Sequence, residues 1–323
     1  MPQGSPSVLV IRLDAIGDAL ALTPLLAAFG ARSIPADVVL SSQNAGIFSS
    51  RAARSTLTSP FELRSSTPGN RTAIERYGHE LSARAYTHVL VATEDPGGYR
   101  LARAVGAPVR IGFYNGWGKP LKTLWTRNFL TDCVYRSAGL DARAPHECEV
   151  LFRLGTPLLG DARPVRERER LRPLVLEREP VPDPRIAVQI TDKWERLGIA
   201  FADVAAAVAR IAAGAPLRLI ASDREAAYAA RMSSATGLPV DSFATIDPWK
   251  SAIGAARAIL TPDSGALHVA GMVGTPIVAV FPPVRDFALQ TARWLPWAAA
   301  HRVVRADAGW PQRAAENLAA LIG

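Results

Sequence analysis

The sequence has little cysteine and no long apolar segment. Only Cys133 and Cys148 occur among 323 residues, which argues against a disulfide framework or a zinc cluster and fits a reducing compartment. No stretch of about 18 uncharged apolar residues is present, so we expect no transmembrane helix. The first residues, MPQGSPSVLVIRLD, lack a basic segment followed by a long apolar run. We therefore expect no signal peptide and a cytoplasmic location.

Two nucleotide-binding motifs are also absent. The segment LDAIGDA has one glycine where the dinucleotide fingerprint requires three, and no Walker motif occurs, so NAD and ATP are disfavoured as ligands. The net charge of +8 nevertheless predicts an anionic partner. The densest basic run, RPVRERERLRPLVLERE, interleaves Glu with Arg and no nucleic-acid motif accompanies it, so we do not expect nucleic acid as a partner. A phosphate-bearing small molecule or an anionic membrane surface accounts for the charge equally well.

Strand and helix patterns alternate along the chain. Apolar runs at 8–12, 36–40, 87–92 and 109–113 predict strands separated by helices, which is typical of a parallel α/β sheet. A Pro- and Arg-rich stretch follows, and the same alternation restarts at 185–190. The length and this interruption predict two α/β domains, 1–170 and 171–323, joined by a hinge. Ligands are expected at the carboxyl ends of the strands.

The first strand-to-helix junction, RLDAIGDALALTPLL at 12–26, carries two carboxylates. Asp18 directly precedes an apolar helical run, so it is interpreted either as a helix cap or as a site residue. Asp14 would brace the turn or orient a ligand, and Arg12 would pair with either carboxylate or contact the substrate. Gly17 is expected to permit a tight backbone path.

A second junction, AILTPDSGALHVAGMVGTPIVAVF at 258–281, packs strand, turn, helix and strand together. Asp263, Ser264 and Gly265 are predicted to open the helix, where free N–H groups and the helix dipole favour an anion. Gly265 would let a phosphate approach, and Ser264 would add a hydroxyl donor. Asp263 would accept from sugar hydroxyls or hold the loop, and His268, one turn inside, would touch the same anion. The alternative is a capped core helix with a buried histidine.

Four segments together resemble glycosyltransferase family 9, the lipopolysaccharide heptosyltransferases and their relatives. Two are the junctions described above, VLVIRLDAIGDALALTPLL and TPDSGALHVAGMVGTPIVAVFPP. Between them, VRIGFY followed by HECEVLFRLG is similar to the pattern before the family's domain boundary, and KWERLGIAFADVAAAV is similar to its Lys/Arg-Trp segment. Their order and spacing fit the family over nearly the whole chain.

The resemblance implies a GT-B fold, in which two Rossmann-like domains face each other across a cleft. The first domain would bind a saccharide or glycolipid acceptor, and the second a nucleotide-sugar donor, typically ADP-heptose. Transfer would invert the anomeric centre without a metal or cofactor, and the sequence contains no Asp-x-Asp. The helix near 311–322 is expected to cross back to the first domain. A peripheral contact with the inner face of the plasma membrane stays open.

Site residues follow from the same resemblance by position. Asp18 matches the proposed catalytic base, Lys193 the donor-phosphate lysine, and Asp223 an acidic residue near the nucleotide ribose. The donor loop is matched by Asp263, Ser264, Gly265 and His268. The acceptor side would include His146, alongside the supporting Arg12, Asp14 and Gly17.

Other features leave alternatives open. The family's HPGAS-type stretch is replaced here by AVQITD, the usual Glu by Asp223, and the usual Trp-Pro by Trp-Glu. Because these departures lie on the donor side, a nucleotide-sugar-binding protein without transferase activity is an alternative. His146 is equally consistent with a surface residue. Trp117 and Trp125 are expected in the core rather than against a lipid or sugar.

Overall fold

The structure, a computed structural model, describes residues 5–137 and 146–323. Residues 1–4, with which the segment MPQGSPSVLVIRLD begins, lie outside the described residues, so the signal-peptide prediction stays a prediction. The chain divides into two compact units, Met1–Val165 and Arg166–Gly323. Each unit contains a six-stranded parallel β-sheet.

The first sheet has the strand order β3-β2-β1-β4-β5-β6. Its strands are β1 (Val8–Arg12), β2 (Ala36–Leu40), β3 (Ser55–Thr58), β4 (His88–Val91), β5 (Val109–Tyr114) and β6 (Asp132–Tyr135). Its described helices are α1 (Ile16–Leu20), α2 (Thr23–Ala31), α3 (Pro68–Ser82), α4 (Pro96–Val105), α5 (Pro120–Arg127), α6 (Glu147–Phe152) and α7 (Thr156–Leu159). Strands β1 and β2 are buried along their whole length, which explains their largely apolar character.

The second sheet repeats this topology with the order β12-β11-β10-β7-β8-β9. Its strands are β7 (Asp183–Gln189), β8 (Leu217–Ser222), β9 (Val240–Phe243), β10 (Ala256–Pro262), β11 (Ile277–Phe281) and β12 (His301–Arg305). The helices are α8 (Arg168–Val175), α9 (Lys193–Arg196), α10 (Phe201–Gly214), α11 (Ala226–Thr236), α12 (Ile246–Ala255), α13 (Gly265–Val273), α14 (Phe287–Ala292) and α15 (Trp310–Ile322). Both units therefore have the Rossmann strand order, so the predicted α/β class with two Rossmann-like domains is confirmed.

The boundary between the units differs from the sequence prediction. A division after residue 170 would cut through α8, which packs against α13 within the second unit. Arg172 anchors α8 there, because its Nη1 donates to the Val273 carbonyl at 2.7 Å and its Nη2 to the Gly254 carbonyl at 2.9 Å. The Arg-rich stretch therefore contains a docked helix and is not a simple hinge.

The terminal helix α15 packs in the core of the second unit. Trp310 is buried and its ring stacks on Trp194 with centroids 5.7 Å apart. Ala314 and Leu318 are buried in the same core cluster, and α15 lies against α10 and β12. The family resemblance predicts that this helix crosses back to the first domain. Its apolar face is instead buried against its own sheet.

Two tryptophans expected in the core have different environments. Trp125 packs against Phe129, with ring centroids 4.6 Å apart, and against Tyr99. Trp117 lies in a short 3-10 turn at Gly116–Gly118, and 95% of its surface is exposed. The core prediction is therefore wrong for Trp117. No helix within the described residues is long and apolar enough to cross a membrane.

Candidate functional site

The first charged cluster lies where the strand order of the first sheet reverses. Strand β1 is flanked by β2 and β4, which connect to it in opposite directions along the sheet. The crevice outside the carboxyl ends of two such strands is the usual ligand position in open α/β sheets. The segment 12–18 leaves β1 at this point, and Ala92 directly follows β4.

Arg12 is the centre of this cluster and is 1% exposed. Its Nε donates to the Asp18 carbonyl and its Nη2 to Asp18 Oδ1, both at 2.9 Å. Its Nη1 donates to the Ala92 carbonyl and lies 3.3 Å from Asp14 Oδ2. The guanidinium thus ties the loop after β1 to the end of β4. The ion-pair interpretation of Arg12 matches these contacts.

A line of alternating charges continues from Arg12. Glu147 is fully buried at the start of α6, with Oε1 3.5 Å from Arg12 Nη2 and 3.0 Å from Arg136 Nη2. Arg136 Nη1 lies 3.4 Å from Glu94 Oε1, and Glu94 in turn pairs with Lys122 on α5. We call this series the ion-pair chain. It connects the loop after β1 to an exposed helix through buried and half-buried charges.

Asp18 has a different position from the one expected for a cap. Helix α1 begins at Ile16 and its N-cap position is Ala15, which makes no side-chain cap hydrogen bond. Asp18 lies in the first turn instead, 29% exposed and held through Oδ1 by Arg12. Oδ2 accepts no hydrogen bond from the part of the chain that the structure describes. The capping interpretation is therefore wrong, and one carboxylate oxygen is available to a ligand.

The electrostatics of Asp18 are governed by burial and by its charged neighbours. Burial raises the pKa of its carboxyl above the usual 3.8, and the charge of Arg12 offsets this only in part. Asp14 and Glu147 raise the pKa further because they are negative and close. A raised pKa makes the carboxylate a stronger base than an ordinary Asp.

The remaining predicted residues of the first unit lie around this cluster. Asn44 Nδ2 donates to the Asp14 carbonyl at 2.8 Å and to the Arg12 carbonyl, which holds the loop backbone. Gly17 lies inside α1 in a right-handed helical conformation, so its φ does not itself require glycine. His146 is the N-cap of α6, with Nδ1 accepting from the Cys148 N–H at 3.1 Å. His146 therefore positions the helix that carries Glu147.

The second charged cluster lies at the equivalent point of the second sheet. Strand β7 is flanked by β8 and β10, so the loops after β7 and β10 meet at the reversal of strand order. Lys193 begins α9 shortly after β7, and Asp263 follows β10. Burial raises the pKa of the Asp263 carboxyl, and the nearby charge of Lys193 opposes this rise.

Glu225 fixes the loop that carries Lys193. Its Oε1 accepts from Thr191 Oγ1 at 2.7 Å, and its Oε2 accepts from the Asp192 N–H at 2.9 Å. Thr191 Oγ1 also accepts from the Lys193 N–H at 3.2 Å. Asp223, the acidic residue predicted from the sequence, lies in a 3-10 turn at the end of β8 and is exposed to solvent. Asp223 is thus accessible to a ligand, while Glu225 shapes the backbone.

Helix α13 begins at Gly265, as the sequence predicts, with Ser264 as its N-cap residue. Its first N–H groups lack intrahelical acceptors and favour an anion. The hydroxyls of Thr261 and Ser264 are 3.0 Å apart, and Thr261 Oγ1 also lies 3.0 Å from the Pro262 carbonyl oxygen. Either hydroxyl can donate in the Thr261–Ser264 contact. Backbone N–H groups and the Ser264 hydroxyl therefore lie together at the start of this helix.

Asp263 and His268 are also brought together at this helix start. His268 Nε2 lies 3.9 Å from Asp263 Oδ1, and the imidazole packs edge-on against Trp294 with centroids 5.6 Å apart. Burial raises the pKa of the Asp263 carboxyl. The Asp263 carboxyl can accept a hydrogen bond from a hydroxyl group of a ligand.

Sequence reasoning missed Glu147 and Glu225. Each lies far along the chain from the residue it supports, and the segment HECEVLFRLG, to which Glu147 belongs, gives no indication of its contact with Arg12. In the sequence, each is recognisable only as an acidic residue next to a predicted strand end or helix start. Their contacts arise from the tertiary fold.

The chain is similar to solved heptosyltransferase structures. Escherichia coli heptosyltransferase WaaC with ADP has a TM-score of 0.71 at 16% identity, with 98% of each chain covered. E. coli ADP-heptose lps heptosyltransferase II has 0.67 at 17% identity, again with 98% of each chain covered. A glycosyl transferase family 9 structure from Veillonella parvula has 0.67 at 17% identity, covering 94% of this chain and 87% of that one. No family model and no curated protein matches the sequence. At these identities the similarity establishes the GT-B type of fold.

Proposed function

We propose that this protein is an inverting, metal-independent glycosyltransferase. It would move a heptose or related sugar from a nucleotide-diphosphate donor to a saccharide or lipopolysaccharide-like acceptor. The fold is shared with enzymes described as heptosyltransferases, one of them solved with ADP and with ADP-2-deoxy-2-fluoro heptose. The observation that carries the proposal is that a charged cluster lies at the ligand-binding reversal point of each sheet.

The donor is assigned to the second unit. Lys193 and the N-terminus of α13 would hold the diphosphate, because both supply positive charge at the same edge of the sheet. That charge is most valuable as the diphosphate leaves and its negative charge grows. Asp223 and Asp263 would accept hydrogen bonds from ribose and sugar hydroxyls, and His268 would lie beside the same anion.

The acceptor is assigned to the first unit, with Asp18 as general base. Arg12 fixes Oδ1, and Oδ2 would take the proton from the acceptor hydroxyl. As the acceptor oxygen bonds to the anomeric carbon, the bond between that carbon and the diphosphate breaks, and the diphosphate leaves with the electron pair. Attack from the face opposite the leaving group inverts the anomeric centre. The raised pKa of Asp18 strengthens it for this task.

No metal is required in this scheme because fixed cations neutralise the leaving group. A transfer assay with and without EDTA tests this point directly. We expect equal rates, and a rate that collapses with EDTA and returns with Mg²⁺ would contradict metal independence.

The experiment that tests the function combines binding and turnover on the full chain. ADP-heptose, ADP and other nucleotide-sugars are screened by thermal shift, because ligands that bind the native state raise Tm. The hits are then incubated with saccharide and lipopolysaccharide-core acceptors, and released nucleoside diphosphate and glycosylated product are quantified. Product formation supports a transferase. Binding without product across all acceptors would favour the alternative, a nucleotide-sugar-binding protein without transferase activity. The departures from the family pattern next to Lys193 are the reason for this alternative.

A further inference from the structure

An exposed apolar surface lies at the start of α5. Trp117 is 95% exposed, Leu121 is 84% exposed and Leu124 is 68% exposed. We call these three residues the α5 patch. Leu121 and Leu124 are three residues apart on one helix, which places them on the same face. Tyr135, 53% exposed, lies beside Gly116 and extends the apolar area.

The α5 patch is not the buried face of its helix. The opposite side of α5 is already packed, since Thr126 is fully buried there, and Trp125 at its border contacts Tyr99 and Phe129. Single exposed apolar residues are ordinary on protein surfaces. Three large ones within eight residues, one in the turn before α5 and two on that helix, whose core face is filled, mark an interaction surface.

The chain segment that carries the patch is basic, although its Lys122 pairs with Glu94. The segment NGWGKPLKTLWTRNFLT, residues 115–131, contains Lys119, Lys122 and Arg127 and no acidic residue. The whole chain carries a net charge of +8. Tryptophan and leucine flanked by basic side chains are typical of protein surfaces that lie in the interface of an anionic bilayer.

We propose that the α5 patch docks the protein onto an anionic lipid surface. Trp117, Leu121 and Leu124 enter the interfacial region, while Lys119 and Arg127 contact lipid phosphates. Charge complementarity selects this occupant over a second copy of the chain, because two copies would bring the same basic residues face to face.

The position of the patch has a consequence for the acceptor. Lys122 on α5 pairs with Glu94, the first step of the ion-pair chain that leads to Arg12 and Asp18. Docking would therefore bring the candidate base close to the membrane surface. On the proposed transferase function, the acceptor is an amphiphile whose sugar projects from that membrane. The docking itself does not depend on the protein being a transferase.

Binding to vesicles tests the proposal without any activity measurement. The full chain is sedimented with vesicles of equal parts phosphatidylcholine and phosphatidylglycerol, and separately with pure phosphatidylcholine. We expect binding to the anionic vesicles that weakens as salt is raised. Leu121→Ser should weaken it about tenfold, and Trp117→Ala by a similar factor, because each removes most of one inserted side chain. Lys119→Gln should weaken it about fivefold at low salt.

Matched controls lie in the second unit. Val181 is 86% exposed and isolated, and Arg178 is exposed nearby. Val181→Ser and Arg178→Gln should bind vesicles as the wild type does. Equal losses in these controls and in the patch variants would overturn the proposal, since binding would then follow only overall charge or apolarity. Melting curves verify that each variant is folded.

Two other outcomes would also reject the α5 patch as a lipid surface. The first is unchanged vesicle binding when Trp117, Leu121 and Leu124 are all replaced. The second is a wild-type dimer, seen by analytical ultracentrifugation, that Leu121→Ser converts to a monomer while vesicles are not bound. That result would assign the patch to self-association. Neither outcome bears on sugar transfer, so failure here is distinct from failure of the proposed function.

Discussion

Replacement of Asp18 by Asn separates its charge from its geometry. The amide oxygen of the introduced asparagine can still accept from Arg12 Nη2, which lies 2.9 Å from Oδ1 in the wild type. The guanidinium keeps Asp14 at 3.3 Å and Glu147 at 3.5 Å as ionic partners, so it is not left unpaired. The substitution therefore removes the proton acceptor and preserves the loop. We expect sugar transfer to collapse while the fold and donor binding persist.

The magnitude follows from two separate effects. A positioned general base contributes about 10² to 10⁴ in rate, so kcat should fall by at least about 100-fold. The thermal stability of the variant, in contrast to its kcat, should not fall. Burial raises the pKa of Asp18 above its usual 3.8, which means that the folded state disfavours the charged carboxylate. Neutral Asn removes that cost, so Tm at pH 7 should be unchanged or slightly higher.

The pH dependence gives the sign of the stability effect. Between 3.8 and the raised pKa, folded Asp18 binds more protons than unfolded Asp18, so the wild type loses stability as pH rises through this interval. The Asn variant lacks this dependence. The difference in Tm, variant minus wild type, should therefore be larger at pH 7 than at a pH below 3.8.

The assay measures nucleoside diphosphate release and glycosylated product with saturating donor. Asp14→Asn is the matched control: it also replaces a carboxylate paired with Arg12, and it should keep activity within about tenfold of wild type. Near wild-type transfer by Asp18→Asn, in a protein that still binds donor, would refute the assignment. The base would then have to be another residue of the cluster.

Three further substitutions address the second unit. Lys193→Met should lower kcat/KM about 100-fold, as loss of one electrostatic donor does, and an unchanged kcat/KM would remove Lys193 from the donor site. Glu225→Gln keeps an acceptor for the Thr191 hydroxyl but loses the acceptor of the Asp192 N–H, so the loop that carries Lys193 is held less firmly and the thermal shift produced by ADP should shrink. Because Asp192 is exposed and water can replace the lost acceptor, the unliganded Tm should change little, and equal shifts would show that Glu225 does not position Lys193. Trp310→Ala removes a ring stacked on Trp194 and should cost about 3 to 5 kcal/mol, or about 10 °C in Tm. Val181→Ala, at an exposed site, is its control.

The interior strands could be predicted from the sequence, and the edge strands could not. Strands β1 and β2 are confirmed residue for residue, because burial on both faces favours a nearly continuous apolar run. Edge strands β3 (STLT) and β6 (DCVY) are exposed at alternating or most positions, so their sequences resemble loops. The sequence gives little sign of helix α3, because few of its residues are buried.

The candidate site shows the same limit at the level of single residues. Asp18 and Lys193 follow buried strands closely, so their place at the carboxyl edge could be predicted from the strands alone. Their supports could not, since Glu147 reaches Arg12 and Glu225 reaches Thr191 only through the tertiary fold. The capping interpretation of Asp18 is wrong because α1 begins at Ile16, three residues earlier than that interpretation requires, and sequence does not fix helix boundaries this closely.

The ion-pair chain constrains how this protein can diverge. Its members alternate in sign along Lys122, Glu94, Arg136, Glu147 and Arg12, and Glu147 has no access to water. Loss of one member would leave its neighbour as an uncompensated charge in a poorly solvated place. Homologues should therefore change these positions in pairs, or replace the whole series by apolar residues. An alignment of close relatives would show this as covariation between positions far apart in the chain.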